Sequence, residues 1–320
     1  MSHPTTGPIV LEAVRKFSDQ PSRAIAKYLF ASYPDVFSSV EHARTDVRYY
    51  RGTLGKRHAG AATLTPRFSA PEGAAEHVIP FELPTVPAII SGDWHVPYHD
   101  QDAIETMVDF MIQRKTKLLL ILGDGLDMYQ VSSFSRDPTM FDVAHEIEMF
   151  RQMLSDIKSA TGAQIVFKEG NHEQRFDRYL MLNAPEAFKF KQTHLQALID
   201  PESLGITYVT AMQPIYFRGL TMLHGHEIGK AANNPVSPAR GLILRTKKSS
   251  VCAHWHRSSE QPANDIRGGQ QTGWSIGCMC GLHPDYMPFN DWNHGFGELE
   301  ADGEEFFTFT NHKIIKGRVV

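Results

Sequence analysis

Cysteine is scarce in this chain: three residues in 320, an odd number, with no C-x-x-C pair among them. That argues against a disulfide framework and sets the expectation of a reducing, cytoplasmic setting. No apolar stretch approaches the length of a membrane span, so no membrane partner is expected. Met1 to Pro8 lacks the basic-then-apolar pattern of a secretion signal. Internal repeats and low-complexity tracts are also missing. What remains is the composition of a globular protein, 42% hydrophobic, long enough for one large domain and one small one.

The net charge of −4 hides an asymmetry. Residues Met1 to Arg57 hold nine Lys+Arg against five Asp+Glu, net +4, and the remainder is net −8. The basic part is a candidate contact for nucleic acid. Its apolar spacing predicts three helices: Pro8 to Phe17, one capped by Ser22 and broken at Pro34-Asp35, and one opened by Ser38 with Glu41. Helix, short break, helix, with Arg44, Arg48 and Arg51 late in the segment, resembles a helix-turn-helix DNA-binding unit. A helical cap packed on the rest of the chain is the competing reading. Residues 58–85, rich in Pro and Gly, read as a linker.

The acidic part, 86–320, is organised around short apolar runs that end in polar residues. Val86 to Ser91 leads into Gly92-Asp93-Trp94-His95, and Lys117 to Leu122 into Gly123-Asp124-Gly125-Leu126-Asp127. Ala163 to Lys168 leads into Glu169-Gly170-Asn171-His172-Glu173. Leu220 to Leu223 ends in His224-Gly225-His226, and Val251 to Ala253 in His254-Trp255-His256. Apolar runs of this length between turn signals read as buried strands. Residues just past strand ends face the crevice where open α/β sheets bind ligands. Carboxylates and imidazoles gathered at one edge repel one another and are costly to desolvate; a bound cation is the simplest compensation. Mixed oxygen and nitrogen donors without thiolate suit Mn, Fe or Zn rather than Ca or Mg.

The order D-x-H, G-D-x-x-D, G-N-H-E, H, H-x-H resembles that of the calcineurin-like metallophosphoesterases, from about residue 86 onward. One departure is Ala253, where that family usually has Gly. The resemblance implies a four-layer α/β/β/α sandwich of two mixed sheets, following the small helical N-terminal domain (1–57). It implies two divalent metal ions, Mn foremost with Fe or Zn as alternatives. By motif position Asp93, His95, Asp124 and His256 would hold the first ion. Asp124, Asn171, His224 and His254 would hold the second, with His226 as an alternative to His224. His172 would donate a hydrogen bond or proton to the leaving oxygen, Glu173 would orient its imidazole, and Asp127 would sit behind the ligands. The implied reaction is phosphoester hydrolysis.

Other residues are expected near this site. Arg175 and Arg178 would share a helix face one turn from the metals and suit phosphate contact. The stretch Met128 to Met140 is either a wall over the metals or a packed loop. Ile206 to Val209, Ile215 to Phe217 and Leu220 to Leu223 read as a three-stranded meander. His283 and His294 are second-rank candidates. Three functions stay open: a nuclease or phosphodiesterase guided by the N-terminal unit, a phosphatase for a small molecule or phosphoprotein, and a DNA-binding regulator on an inactive phosphoesterase fold.

Overall fold

The computed structural model describes residues 6–53, 78–229, 237–264, 266 and 268–320. It divides into two compact units, Met1–Glu76 and His77–Val320. Residues 54–77, which take in 58–77 of the expected linker, and residues 230–236 lie outside the described residues.

In the first unit three helices, α1 (Gly7–Lys16), α2 (Ser22–Ser32) and α3 (Val40–Tyr50), enclose one core. Val10, Val14, Ile25, Leu29, Phe37, Ala43 and Val47 fill it. Each buried aliphatic side chain of this size contributes about 1.5–3 kcal/mol. Two expected caps differ. Pro21 precedes α2 and Ser22 is its first residue, so Ser22 makes no side-chain cap. Ser39, not Ser38, caps α3 by accepting from His42 N–H. The connection Tyr33 to Ser39 is longer than the roughly 3–4-residue turn of a helix-turn-helix. Phe37 within it is fully buried, so the connection contributes to the core instead of only reversing the chain.

Arg51 corrects the expectation of a DNA contact. Its guanidinium donates to the carbonyls of Phe17 (3.2 Å) and Ser18 (2.7 Å), just past the end of α1, and reaches the Ser22 hydroxyl at 3.4 Å. It is a tie between helices. Arg44 pairs with Glu41 at 3.2 Å, and Arg48 is exposed.

The second unit holds two mixed sheets. Seven strands stand in the order β13 (Arg318–Val319), β12 (Phe306–Ile315), β11 (Gly295–Asp302), β2 (Ala88–Ser91), β3 (Leu118–Leu122), β4 (Gln164–Lys168) and β5 (Thr207–Val209). The run β2 to β5 is parallel, and β11 pairs antiparallel to β2. Six strands form the other sheet: β1 (Phe81–Glu82), β6 (Ile215–Phe217), β7 (Leu220–Leu223), β8 (Ser250–Cys252), β10 (Gln270–Ser275) and β9 (Ser259–Asn264). Two expectations fail here. Phe81–Glu82, placed in the linker, pairs with β6. The meander breaks, because Thr207–Val209 pairs with β4 in the first sheet while β6 and β7 belong to the second.

Alternation along β3 assigns the layers. Leu119 and Ile121 face helices α4 (Gln101–Arg114) and α5 (Val143–Thr161), packing with Met107, Phe150 and Leu154. Leu118, Leu120 and Leu122 face the second sheet, packing with Ile215, Phe217, Met222 and Val251. A strand buried on both faces reads as a continuous apolar run, as Leu118–Leu122 does. The outer face of the second sheet is covered by a helix over Pro238–Thr246, with Leu242 against Leu223 and Cys252. The unit is therefore a helix–sheet–sheet–helix sandwich. Among the described residues no helix is long and apolar enough to cross a membrane.

Candidate metal centre

Five strands deliver the candidate residues. β2, β3 and β4 of one sheet and β7 and β8 of the other end immediately before the five polar motifs. The turns that follow are strained. Asp93, His95, Asp124, His254 and His256 all have φ between 51° and 70°. Left-handed backbone costs a non-glycine residue about 1–2 kcal/mol, and its concentration on five candidate ligands fits strain held at a functional site. Ala253 is not among the residues with positive φ, so the departure from Gly brings no strain. Gly123 and Gly170 are required: a Cβ at the first would collide with the His224 ring, and at the second with the Asp124 carboxylate.

The side chains converge on two groups of donors that meet at Asp124. On one side His95 Nε2 lies 3.2 Å from His256 Nε2 and 4.0 Å from Asp124 Oδ2, with His256 Nε2 3.6 Å from Asp93 Oδ1. On the other, His224 Nε2 lies 3.1 Å from both Asp124 Oδ2 and Asn171 Oδ1. Ligating atoms of Asp124, His224 and His254 fall within 4.8 Å of one another. Asp93 Oδ1 is buried with no hydrogen-bond partner. Two imidazole nitrogens facing each other beside an orphaned carboxylate oxygen fit a divalent cation.

The outer atoms are tied down so that the inner ones point inward, the usual arrangement of metal-ligating histidine. His95 Nδ1 bonds Asp127 Oδ1 and His224 Nδ1 donates to the Leu122 carbonyl, each at 2.8 Å. His256 Nδ1 lies 3.6 Å from the Cys280 thiol. Asp93 Oδ2 accepts from His254 N–H, and Asp124 Oδ1 from His172 N–H.

The charge balance points the same way. Burial first, then the Asp124 charge, raises the Asp93 carboxyl to about 7. Asp124 is held well below the usual carboxylate range: burial opposes this, but His224, His172 and His95 outweigh it. His224, against its own burial, is raised to about 10 by Asp124. Burial and then His224 push His254 down to about 3.

Glu173 is corrected. Its carboxylate accepts backbone N–H bonds from Gly170 (2.7 Å), Leu126 (2.9 Å) and Asp124 (3.1 Å), with no bond to the His172 imidazole. It clamps the turns that carry Asp124 and Asn171. His172 is oriented by others: Nδ1 donates to the Asp127 carbonyl at 2.8 Å, and Arg175 donates to Nε2 at 2.7 Å. In this arrangement Nε2 is an acceptor, so the proton needed for donation to a leaving oxygen is not on that atom. Arg175 also donates to the Asp127 carbonyl, while Arg178 is exposed.

His226 lies beside the second group, its ring 5.4 Å from His224, with neither nitrogen hydrogen-bonded. His294 Nε2 donates to the Cys280 carbonyl at 2.9 Å, and His283, exposed, donates through Nδ1 to the Pro288 carbonyl. Met128 to Met140 is knotted by its own bonds, among them Arg136 to the Gln130 carbonyl and Asp137 N–H to the Tyr129 hydroxyl. It packs as a loop. Two residues went unread in the sequence. Glu227 accepts from the N–H groups of His224 (3.2 Å) and Gly225 (2.7 Å), and fully buried Lys168 reaches it at 3.1 Å. The available signal was a lysine closing an apolar strand run.

Similar architectures exist among solved structures. Vacuolar protein sorting 29 from Cryptosporidium parvum matches with 14% identity and a TM-score of 0.40, covering 73% of this chain and 94% of that one. The Entamoeba histolytica protein of the same name, complexed with zinc, matches with 11% identity and a TM-score of 0.38, covering 73% and 96%. The phosphoesterase YfcE from E. coli matches with 15% identity and a TM-score of 0.34, covering 70% and 98%. These are distant likenesses in both sequence and superposition. No family model and no curated protein matches the chain. The resemblance to calcineurin-like metallophosphoesterases rests on five motifs and on their meeting at one site.

Proposed function

We propose that this chain is a hydrolase that cleaves phosphoesters with two divalent metal ions, Mn foremost, and that its substrate is a phosphodiester of the nucleic-acid class. The observation that carries the reading is Asp124, whose carboxylate borders both donor groups. Asp93, His95, Asp124 and His256 would hold one ion, and Asp124, Asn171, His224 and His254 the other. Such a pair supplies an acidified water and neutralises phosphoryl oxygens.

The chain's own residues do the rest. Asp127 fixes the His95 ring and holds His172 through its carbonyl. Arg175 is placed to leave His172 Nε2 for an incoming phosphoryl oxygen, since its guanidinium suits that contact better than imidazole. Nε2 is then free to take a proton from solvent, forming the imidazolium while Nδ1 still donates to the Asp127 carbonyl, and to pass that proton to the departing oxygen. Glu173, Glu227 and Lys168 hold the ligand-bearing turns.

DNA binding by the N-terminal unit rests on its +4 charge and on Arg48, with Arg44 partly engaged by Glu41. Three free cysteines, all buried, accord with a reducing cytoplasm. The test is a hydrolysis panel of mono- and diesters on metal-stripped chain resupplied with Mn, Fe or Zn. Turnover of diesters above monoesters supports the proposal. The reverse order favours a phosphatase, and no turnover with any metal favours the inactive regulator.

A further inference from the structure

The loop between Gly281 and Asn293 displays side chains that folded proteins usually bury. Tyr286 is 75% exposed, Met287 43% and Phe289 95%. Three such side chains exposed within residues 286–289 of one loop make it a candidate binding surface.

The loop is not loose. Asn290 donates to the carbonyls of Leu282 and Met287 at 2.7 and 2.8 Å and accepts from Trp292 N–H at 2.9 Å. Met287 N–H returns to the Pro284 carbonyl at 2.9 Å, and Asn293 N–H donates to the His256 carbonyl at 2.9 Å. Its aromatic rings lead away from the metal centre. The Trp292 ring lies over the His256 imidazole with centroids 4.1 Å apart, and Tyr286 stands 6.4 Å beyond Trp292. Tyr286 remains within electrostatic reach of the site. Partial desolvation and the Asp127 charge raise its hydroxyl to about 12, and Arg175 acts in the opposite sense.

We propose that this loop is a stacking platform for a nucleobase of the substrate, with Tyr286 and Phe289 as its faces and Trp292 joining it to the metal ligand His256. This rests on the phosphoesterase reading and deepens it. A ligand that suits both places needs an anionic phosphoryl group for the cation site and a flat π-face nearby, and a nucleotide unit has both. Tyr286 and Phe289 offer ring faces and edges rather than a pattern of base-reading donors, so the platform accepts any base. Stacking on aromatic side chains is tolerant of sequence in that way.

The experiment uses the full chain with Mn and two diesters sharing one leaving group: the p-nitrophenyl ester of thymidine 5′-monophosphate, and methyl p-nitrophenyl phosphate. Only the group that stays on phosphorus differs. The nucleotidyl ester is expected to have a kcat/KM about tenfold or more above the methyl ester, mostly through KM. In the double variant Tyr286→Ala, Phe289→Ala that ratio falls towards one, and Tyr286→Phe with Phe289→Tyr restores it. A ratio near one in the unaltered chain, or an equal ratio in the alanine variant, overturns the platform. Calorimetric titration with thymidine 5′-monophosphate separates the two readings. Weaker binding to the alanine variant supports the platform even where neither ester is cleaved, a result that would sink the hydrolase alone. Equal binding to both chains overturns the platform.

Discussion

Single residues make this site, and several of them can be picked out in the sequence. Asp93, His95, Asp124, Asn171, His224, His254 and His256 follow strand ends in the sequence, and the sheet edges bring them together. Glu146 was not legible. It lies in the first turn of α5, where acidic residues are common, yet it is fully buried. It accepts from Met128 N–H at 2.7 Å, its other oxygen has no partner, and burial lifts its pKa to about 8. A carboxyl raised on folding favours the native state while protonated. Its contribution is complete below the ordinary value near 4.5 and lost as pH rises through about 8. The loss is on the order of a few kcal/mol at most. Glu146→Gln should flatten the fall in Tm between pH 5 and pH 8, and calorimetric scans at the two pH values check it. A variant with the same slope as the parent would remove Glu146 as the cause. His172 is a second test at this scale. Replacement by Ala should keep the metals and lower turnover about 10²–10⁴-fold for poor leaving groups, with a smaller loss for p-nitrophenyl esters. Equal losses for both would count against proton donation.

Elements show why some roles could not be read from spacing. Glu173 adjoins His172 in sequence, which suggested contact. The first turn of the helix Gln174–Asn183 instead rotates Glu173 towards three backbone N–H groups of neighbouring turns. Glu173→Ala would orphan those groups, each costing about 1–3 kcal/mol, so the variant should lose thermal stability and metal affinity together. If instead it binds metal normally and fails only with poor leaving groups, the orienting role returns. Arg51 is a similar case. Arg44, Arg48 and Arg51 are close in sequence, but Arg51 lies at the end of α3 and turns back to the carbonyls past α1. Arg51→Ala should lower the stability of the full chain by about 1–2 kcal/mol, whereas Arg48→Ala should leave stability alone and reduce the salt dependence of any DNA binding. The meander failed for a related reason. Three short apolar runs in sequence do not reveal which sheet each joins, and β5 is claimed by β4.

At the scale of the whole molecule, two sheets meet so that their strand ends share one site, and strand pairing sets where the second unit begins. A chain starting at Val78 keeps β1, with Leu83 in the core between the sheets. One starting at Val86 removes β1 and Leu83, and it should unfold at lower temperature by an amount in keeping with about 2–5 kcal/mol for a lost core leucine. Equal melting of the two would show that β1 contributes nothing. The layered architecture was expected from the resemblance that the five motifs carry; the apolar runs by themselves pointed only to buried strands, as Leu118–Leu122 proves to be. The aromatic platform was not legible, because nothing in a sequence marks Tyr286 and Phe289 as exposed. The central claim is a pair of ions bridged by Asp124. Elemental analysis of the dialysed full chain and of Asp124→Asn, after saturation with Mn, tests it most directly. The account predicts two equivalents in the parent and far fewer in a folded variant, with activity lost in step. Two full equivalents in the variant, or none in the parent, would contradict it.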